Sequence, residues 1–329
     1  MVLALAVIML LGIVSLIVFS PTRPPGGSPP PIPNGYDDFV KAAGQMSGNA
    51  GNAPTLDQES LRTLISSNAE PLHLLRIGLT RQCVMPMEFA LTNAAGNLNQ
   101  LADMKRLVQL LAAEGRLAEI ENRPADGARS YADVIRFGNE MSRGGLLITR
   151  LVGLACEAIG CHALAKVLPK LSHEAARATL AELEKVDASR VQWVEILRNE
   201  RQFSRFQQRQ HFNPVLWVMG WWQSRAAIQK AETKHKLMVA HVRLLAVELA
   251  LRTYEFDHGR MASRLDELVT NYLIKLPEDP FSSQPLIYRP QGTNWLLYSV
   301  GPDGVDDGGK PAVGRGWPVK GDLFFDSSW

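Results

Sequence analysis

The stretch GGLLITRLVGLACEAIGCHALAKVL, residues 144–168, decides the fold class of this chain of 329 residues. It is the most apolar segment in the interior of the sequence, and it is long enough to cross a membrane. Arg150 and Glu157 lie seven positions apart within it, so they share one face of a helix. Two charges at the middle of a bilayer are costly, whereas in a helical bundle they can pair. We therefore predict a mainly α protein with this stretch as its central buried helix; a second membrane span is the alternative.

The same stretch contains a candidate polar site. Arg150, Glu157 and His162 form its one plausible polar cluster. Two interpretations stay open: a structural ion pair, and the site of an enzyme. Gly153 and Gly160 lack side chains and would let a neighbouring helix approach closely.

The three cysteines are expected to be buried free thiols. Cys156 and Cys161 are five positions apart, about 140° around a helix, so they cannot bridge each other, and Cys83 is distant in sequence. No Cys-x-x-Cys pair is present, which excludes a zinc ribbon and a thioredoxin-type site.

The residues before the central stretch also have helical patterns. Residues 55–79 begin with Thr55 and Gln58 at a capping-box spacing, and Pro71 predicts a kink or break. Residues 101–141 predict two amphipathic helices joined through NRPADG, residues 122–127. This pair resembles one tetratricopeptide-type unit, and a generic helical hairpin is the alternative, because no 34-residue repeat recurs.

The first twenty residues, MVLALAVIMLLGIVSLIVFS, carry no charged side chain. At 1.5 Å per residue they would span roughly 30 Å, the thickness of a bilayer core. We predict a transmembrane helix at 1–20 in contact with membrane lipid, followed by a Pro/Gly-rich linker at 21–35; a cleaved signal peptide is the alternative. The expected location is the cell membrane, as a single-pass protein with most of the chain outside the cytoplasm.

Composition gives little support for nucleic-acid binding. Thirty-five basic and 33 acidic residues leave a formal charge of +2, so no global electrostatic attraction to nucleic acid is expected. One local pattern is basic and aromatic, and it predicts either membrane-surface contact or an ordinary solvated face with buried tryptophans. Its residues are Arg201, Arg205 and Arg209 followed by Trp217, Trp221 and Trp222.

The recognisable catalytic motifs are missing. The sequence has no Gly-x-Ser-x-Gly elbow, no Gly-x-Gly-x-x-Gly dinucleotide fingerprint and no Walker loop. No pair of histidines has the spacing of a helical zinc site. These absences predict that the protein is not an enzyme; an enzyme whose site is assembled from distant residues is the alternative.

Residues 236–329 have a different order of elements. A helix that ends near Gly259 precedes a short helix at 265–269, a strand at PLIYR, a strand at WLLYSV, and a glycine-rich acidic loop closed by GDLFF. Two motifs, LPEDPF at 276–281 and YSVGPDG at 298–304, resemble those of the major pseudopilin of type II secretion systems. The resemblance implies a small α+β module with a short antiparallel sheet, and a calcium ion in the acidic loop.

That resemblance implies particular calcium ligands. Asp303 stands at the place of the first loop aspartate of the family, and Asp322 at that of a later one; Asp306 and Asp307 are further candidates. Calcium takes six to eight oxygen ligands, and glycines let a loop turn its carbonyl groups inward. An EF-hand is excluded, because the required acids are missing from the corresponding spacing. A solvated turn without metal is the alternative.

Together these patterns predict four segments: a transmembrane helix (1–20), a linker (21–35), a helical domain (36–235) and a pseudopilin-like module (236–329). The predicted function is that of a membrane-anchored structural or interaction protein outside the cytoplasm, possessing a calcium-stabilised module, with an unidentified protein partner and an association with secretion. The alternative is an extracytoplasmic enzyme with its site in the helical domain.

Overall fold

The computed structural model describes residues 30–86, 94–210, 214–312 and 320–327, and the side chains within these ranges except at 94–98, 206–210 and 214–224. The predicted anchor and nearly all of the predicted linker lie outside the described residues. The side chains of Arg209, Trp217, Trp221 and Trp222 also lie outside them, so the basic and aromatic pattern stays a prediction.

The described part of the chain is mainly helical, with one short antiparallel sheet, which confirms the predicted fold class at this level. In the sheet, Tyr288 pairs with Leu297. Short 3₁₀ turns occur at Ala50–Thr55, Leu168–Lys170 and Leu265–Leu268. The helices are α1 (Gly35–Gly44), α2 (Gln58–Ser67), α3 (Ala69–Thr80), α4 (Ala94–Ile120), α5 (Pro124–Glu140), α6 (Leu147–Val167), α7 (His173–Ala188), α8 (Trp193–Gln210) and α9 (Pro214–His258), and the strands are β1 (Ile287–Gln291) and β2 (Asn294–Tyr298).

The break predicted at Pro71 occurs three residues earlier, at Asn68. A proline ring collides with the carbonyl group four residues before it, here that of Ser67, which is the last residue of α2. The buried Asn68 side chain then bonds to both backbone groups of Ser47. The prediction of Thr55 as N-cap is wrong: Asp57 caps α2, accepting the Ser60 N–H at 2.8 Å.

Two hydrophobic clusters form the interior. One joins α1–α4 to one side of α5, and the other joins α5, α6, α7 and α9 to the C-terminal segment. Helices α5 and α6 pack closely, because a Cβ atom added to Gly138 would lie 2.6 Å from the carbonyl oxygen of Gly153. A Cβ on Gly160 would lie 2.7 Å from Ile135, so the close approach predicted at both glycines of α6 is confirmed.

Helix α6 lies within this packing. Arg150 and Glu157 have fully buried side chains, as expected for a central helix. By length and composition alone, the segment Leu147–Lys170 is also the one described helical segment that could cross a membrane. The three thiols are free and buried, as predicted.

Helix α9 connects the helical region to the C-terminal residues. The predicted boundary between 235 and 236 falls inside this helix. Buried residues of α9, such as Leu244 and Val247, belong to the same cluster as Leu297 of β2 and Leu323. The Trp295 indole N–H also donates to Glu248 of α9 at 2.8 Å. The C-terminal residues therefore share their core with α5–α7.

Candidate functional site

The acidic loop starts where β2 ends and returns to the sheet at Leu323. Ser299 and Leu323 exchange two backbone hydrogen bonds, at 2.9 and 2.8 Å, which close the loop at its base. Gly301 has a φ of +71°, and a Cβ there would lie 2.4 Å from the carbonyl oxygen of Gly321. Only glycine fits this close crossing of the two loop ends.

Asp322 holds the acidic loop in place. Its side chain is fully buried and accepts three backbone N–H groups, from Gly309 at 2.7 Å, Lys310 at 3.2 Å and Asp307 at 3.3 Å. Burial raises the pKa of Asp322, whereas these hydrogen bonds oppose the rise. The Asp322 carboxylate therefore fixes the backbone of residues 307–310 through three hydrogen bonds.

Asp306 has a different role, because a cation already pairs with it. The Arg289 guanidinium from β1 lies 2.9 Å from its carboxylate, and the Tyr298 hydroxyl donates to it at 2.8 Å. The Tyr298 and Gly308 hydrogen bonds hold the pKa of Asp306 below its usual value. Burial, followed by the bond to Asp306, raises the pKa of Tyr298 to about 12.

Asp303 and Asp307 have carboxylates with oxygen atoms to spare. From the described residues, Asp303 accepts two long hydrogen bonds, from Val305 at 3.3 Å and Gly321 at 3.4 Å. Among the hydrogen bonds of the described residues, none ends on the Asp307 carboxylate. Both residues lie beside Asp322, since Asp303 touches Gly321 and the Asp307 N–H touches Asp322.

Asp279, in the LPEDPF motif, is a structural residue whose role the sequence did not reveal. It is fully buried and accepts the Phe281 N–H at 2.9 Å, the Ser299 hydroxyl at 3.0 Å and the Val300 N–H at 2.9 Å. It thereby joins the turn before β1 to the end of β2, directly below the acidic loop. The Asp-Pro sequence at 279–280 indicates a turn, but it does not predict the hydrogen bonds from Asp279 to residues about 20 positions later.

Within the described residues, no three acidic, histidine or cysteine side chains converge into a group that could hold a metal ion. Backbone carbonyl groups of the loop are also ligands that calcium accepts, and residues 313–319 of the loop lie outside the described part. The four predicted calcium ligands therefore have different contacts. Asp322 binds the loop backbone, Asp306 binds Arg289, and Asp303 and Asp307 lie on either side of Asp322.

A shallow cleft of about 340 Å³ lies between α9 and the acidic loop. Asp303 lines it on the loop side and Thr233 on the helix side. Within it, Lys236 lies 3.8 Å from Glu232. The remaining lining residues are Gln229, Phe281, Pro302 and Gly304.

The second candidate, in α6, is a closed ion-pair centre. Arg150 Nη1 donates to Glu157 Oε1 at 2.7 Å and to the Ser142 hydroxyl at 3.1 Å. His162, expected to be with this pair, is exposed instead, because it lies about 140° around the helix from Glu157. Its inclusion in the cluster is therefore wrong.

Two residues distant in sequence complete this centre. Arg190, between α7 and α8, donates to the other Glu157 oxygen at 2.8 Å. His235 of α9 accepts the Arg150 Nε–H at Nδ1, at 3.2 Å. Burial, and then the neighbouring arginines, lower the pKa of His235 to about 2, so this imidazole is neutral. No sequence signal near Arg150 pointed to either residue.

Comparisons with protein-family models, with curated proteins and with solved structures found no match to this chain.

Proposed function

We propose that this chain is a membrane-anchored protein that lies outside the cytoplasm and binds a protein partner beside a calcium-stabilised C-terminal module. The anchor is residues 1–20, which carry no charged side chain, followed by the proline-rich segment 21–35. The module is the pseudopilin-like segment 236–329, which packs on the helical region through α9.

The observation that carries the choice of a binding protein over an enzyme is the burial of the central polar residues. The side chains of Arg150 and Glu157 are 0% exposed, and that of Arg190 is 4% exposed. A catalytic acid or base must reach its substrate within hydrogen-bond distance. Glu157 is also held by two guanidinium groups, which suits a structural centre and leaves no carboxylate to act as a base.

Calcium suits the acidic loop for a physical reason. Asp303 and Asp307 have spare carboxylate oxygens beside the buried Asp322, and calcium prefers such ligands together with carbonyl groups. In this proposal the side chains of Asp303 and Asp307 turn toward Asp322 when the ion binds, so that these three residues hold it, and Asp306 remains the partner of Arg289. The ion would neutralise the carboxylates and hold the loop closed over the sheet.

The cleft between α9 and the acidic loop is the proposed contact surface. Its lining includes acidic residues, one lysine and one aromatic side chain, Phe281. Because Asp303 of the acidic loop also lines it, a calcium-dependent movement of the loop would change the shape of the cleft. A photo-crosslinking residue at Thr233, inside the cleft, should give a discrete adduct in native membranes. The same residue at the exposed Arg129 serves as the control. Identical adducts at both positions would contradict a specific contact at the cleft.

Topology is tested separately. Alkaline carbonate washing should leave the full-length chain in the membrane, and protease added to spheroplasts should digest residues 36–329. Release by carbonate would contradict the anchor, and protection of the body from protease would contradict the orientation.

A further inference from the structure

The buried centre around Arg150 has an excess of positive charge. Arg150 and Arg190 share the single carboxylate of Glu157, and all three side chains are at most 4% exposed. Asp187 lies 3.4 Å from Arg190, but it also pairs with Arg243 at 3.0 Å. The fully buried part of the centre therefore has two guanidinium groups and one carboxylate, whereas Arg243 and Asp187 are 23% and 20% exposed. An uncompensated charge away from water is costly.

The same centre also has unused hydrogen-bond donors. Arg150 Nη2, Arg190 Nη2 and the indole Nε1 of Trp193 are buried, and within the described part of the chain none of them has an acceptor; Arg190 Nε lies 3.4 Å from Asp187 without making a hydrogen bond. Trp193 belongs to this centre, because its ring centroid lies 5.6 Å from that of His235. Buried donors in native proteins almost always have a partner.

His235 cannot supply what is missing. Its Nδ1 already accepts the Arg150 Nε–H, and a neutral imidazole has no further acceptor once the other ring nitrogen carries the proton. Ser142 cannot satisfy all of these donors either, since its hydroxyl already accepts from Arg150 and donates to the carbonyl oxygen of Asn139 at 2.8 Å, which leaves a single lone pair and no charge.

We propose that a small monovalent anion, chloride, binds at this centre, held by Arg150, Arg190 and Trp193. A chloride ion accepts several N–H donors from different directions, and its charge balances the excess positive charge. A water molecule would satisfy some donors but would leave that charge uncompensated. The burial of the surrounding side chains favours a single small ion over the carboxylate or phosphate of a larger ligand. The ion would join α6 to the start of α8.

The test is thermal unfolding of the full-length chain in a sodium chloride series, with sodium gluconate holding the ionic strength constant. Because chloride binds only the folded state, the melting temperature should rise with chloride. At a concentration of about 100 times Kd, the equilibrium constant for unfolding should fall about 100-fold. A melting temperature that is the same throughout the series would overturn the proposal.

Two variants locate the effect. Arg190→Met leaves one guanidinium for one carboxylate and should abolish the chloride dependence, whatever its own stability. Trp193→Phe removes one donor while keeping an aromatic ring, and it should weaken the chloride dependence of the melting temperature. This variant provides the test if Arg190→Met does not fold. Arg62→Gln, at an exposed ion pair with Glu121, is the control and should keep the wild-type dependence. The proposal is contradicted if the melting temperature of Trp193→Phe, and of Arg190→Met where that variant folds, rises with chloride as much as in the wild type. Any chloride site would then lie elsewhere in the protein.

A crystal of the full chain soaked in bromide provides the direct measurement. An anomalous peak within hydrogen-bond distance of Arg150 Nη2 and Arg190 Nη2 is the expected result. A site that shows only water there would contradict the proposal.

Discussion

Replacing Asp322 with alanine tests how the acidic loop is held. The substitution removes the acceptor of three backbone N–H groups. A buried donor left without a partner costs about 1–3 kcal/mol. The Gly309 N–H, with the shortest bond at 2.7 Å, should account for roughly 2 kcal/mol. The bonds from Lys310 and Asp307 are longer, at 3.2 and 3.3 Å, so each should add only about 0.5 kcal/mol.

The expected total is about 3 kcal/mol of unfolding free energy, which corresponds to a fall of roughly 4 °C in melting temperature for a chain of this size. Asp322→Asn keeps one oxygen for Gly309 and should cost about 1 kcal/mol. Both variants are measured by chemical and thermal unfolding of the full-length chain. Hydrogen exchange should also show faster exchange at the amides of Gly309 and Lys310 in the alanine variant.

The matched control is Asp326→Ala, an exposed aspartate four residues further along. It should change the stability by no more than about 0.5 kcal/mol. The reasoning is refuted if Asp322→Ala is as stable as this control, or if both substitutions cost the same large amount.

Two further predictions concern the loop base and the buried centre. Gly301→Ala should destabilise the protein by more than Gly304→Ala, because both glycines have a φ of +71° but only the first would bring a Cβ within 2.4 Å of Gly321; equal losses in unfolding experiments would show that the close crossing is unimportant. His235 has a folded pKa of about 2 against an ordinary value near 6.5, so its neutral form supports stability fully above pH 6.5 and progressively less as the pH falls toward 2. His235→Gln keeps an acceptor for Arg150 without titrating, and its unfolding free energy should depend less on pH between 7 and 4 than that of the wild type; an unchanged pH dependence would contradict the assignment.

Local patterns predicted the part of the fold that depends on neighbouring residues. The seven-residue spacing of Arg150 and Glu157 predicted one buried face on α6, and the structure confirms it. The glycines of that helix predicted close helix packing for the same reason. The cap of α2 was placed wrongly, because Thr55 and Asp57 both precede the apolar pattern and only the backbone path distinguishes them.

Long-range partners were beyond local patterns. Arg190 and His235 reach Glu157 and Arg150 from 33 and 85 residues away. Arg289 reaches Asp306 through the pairing of β1 with β2, so the stretch 303–309, which has no basic residue of its own, still has a cation beside it. The shared core of α9 and the C-terminal residues likewise depends on tertiary packing, which the order of elements along residues 236–329 could not reveal.

The most direct test of the proposed function is the effect of calcium on the stability of the full-length chain. Extracellular calcium modules often bind near 10⁻⁴ to 10⁻³ M, so unfolding is compared in about 10 mM calcium and in excess chelator. The proposal predicts a higher melting temperature in calcium for the wild type and for Asp326→Asn, and no calcium effect in the double variant Asp303→Asn, Asp307→Asn. Equal melting temperatures of the wild type in calcium and in chelator would contradict the calcium site and leave the acidic loop held by Asp322 and Arg289 alone.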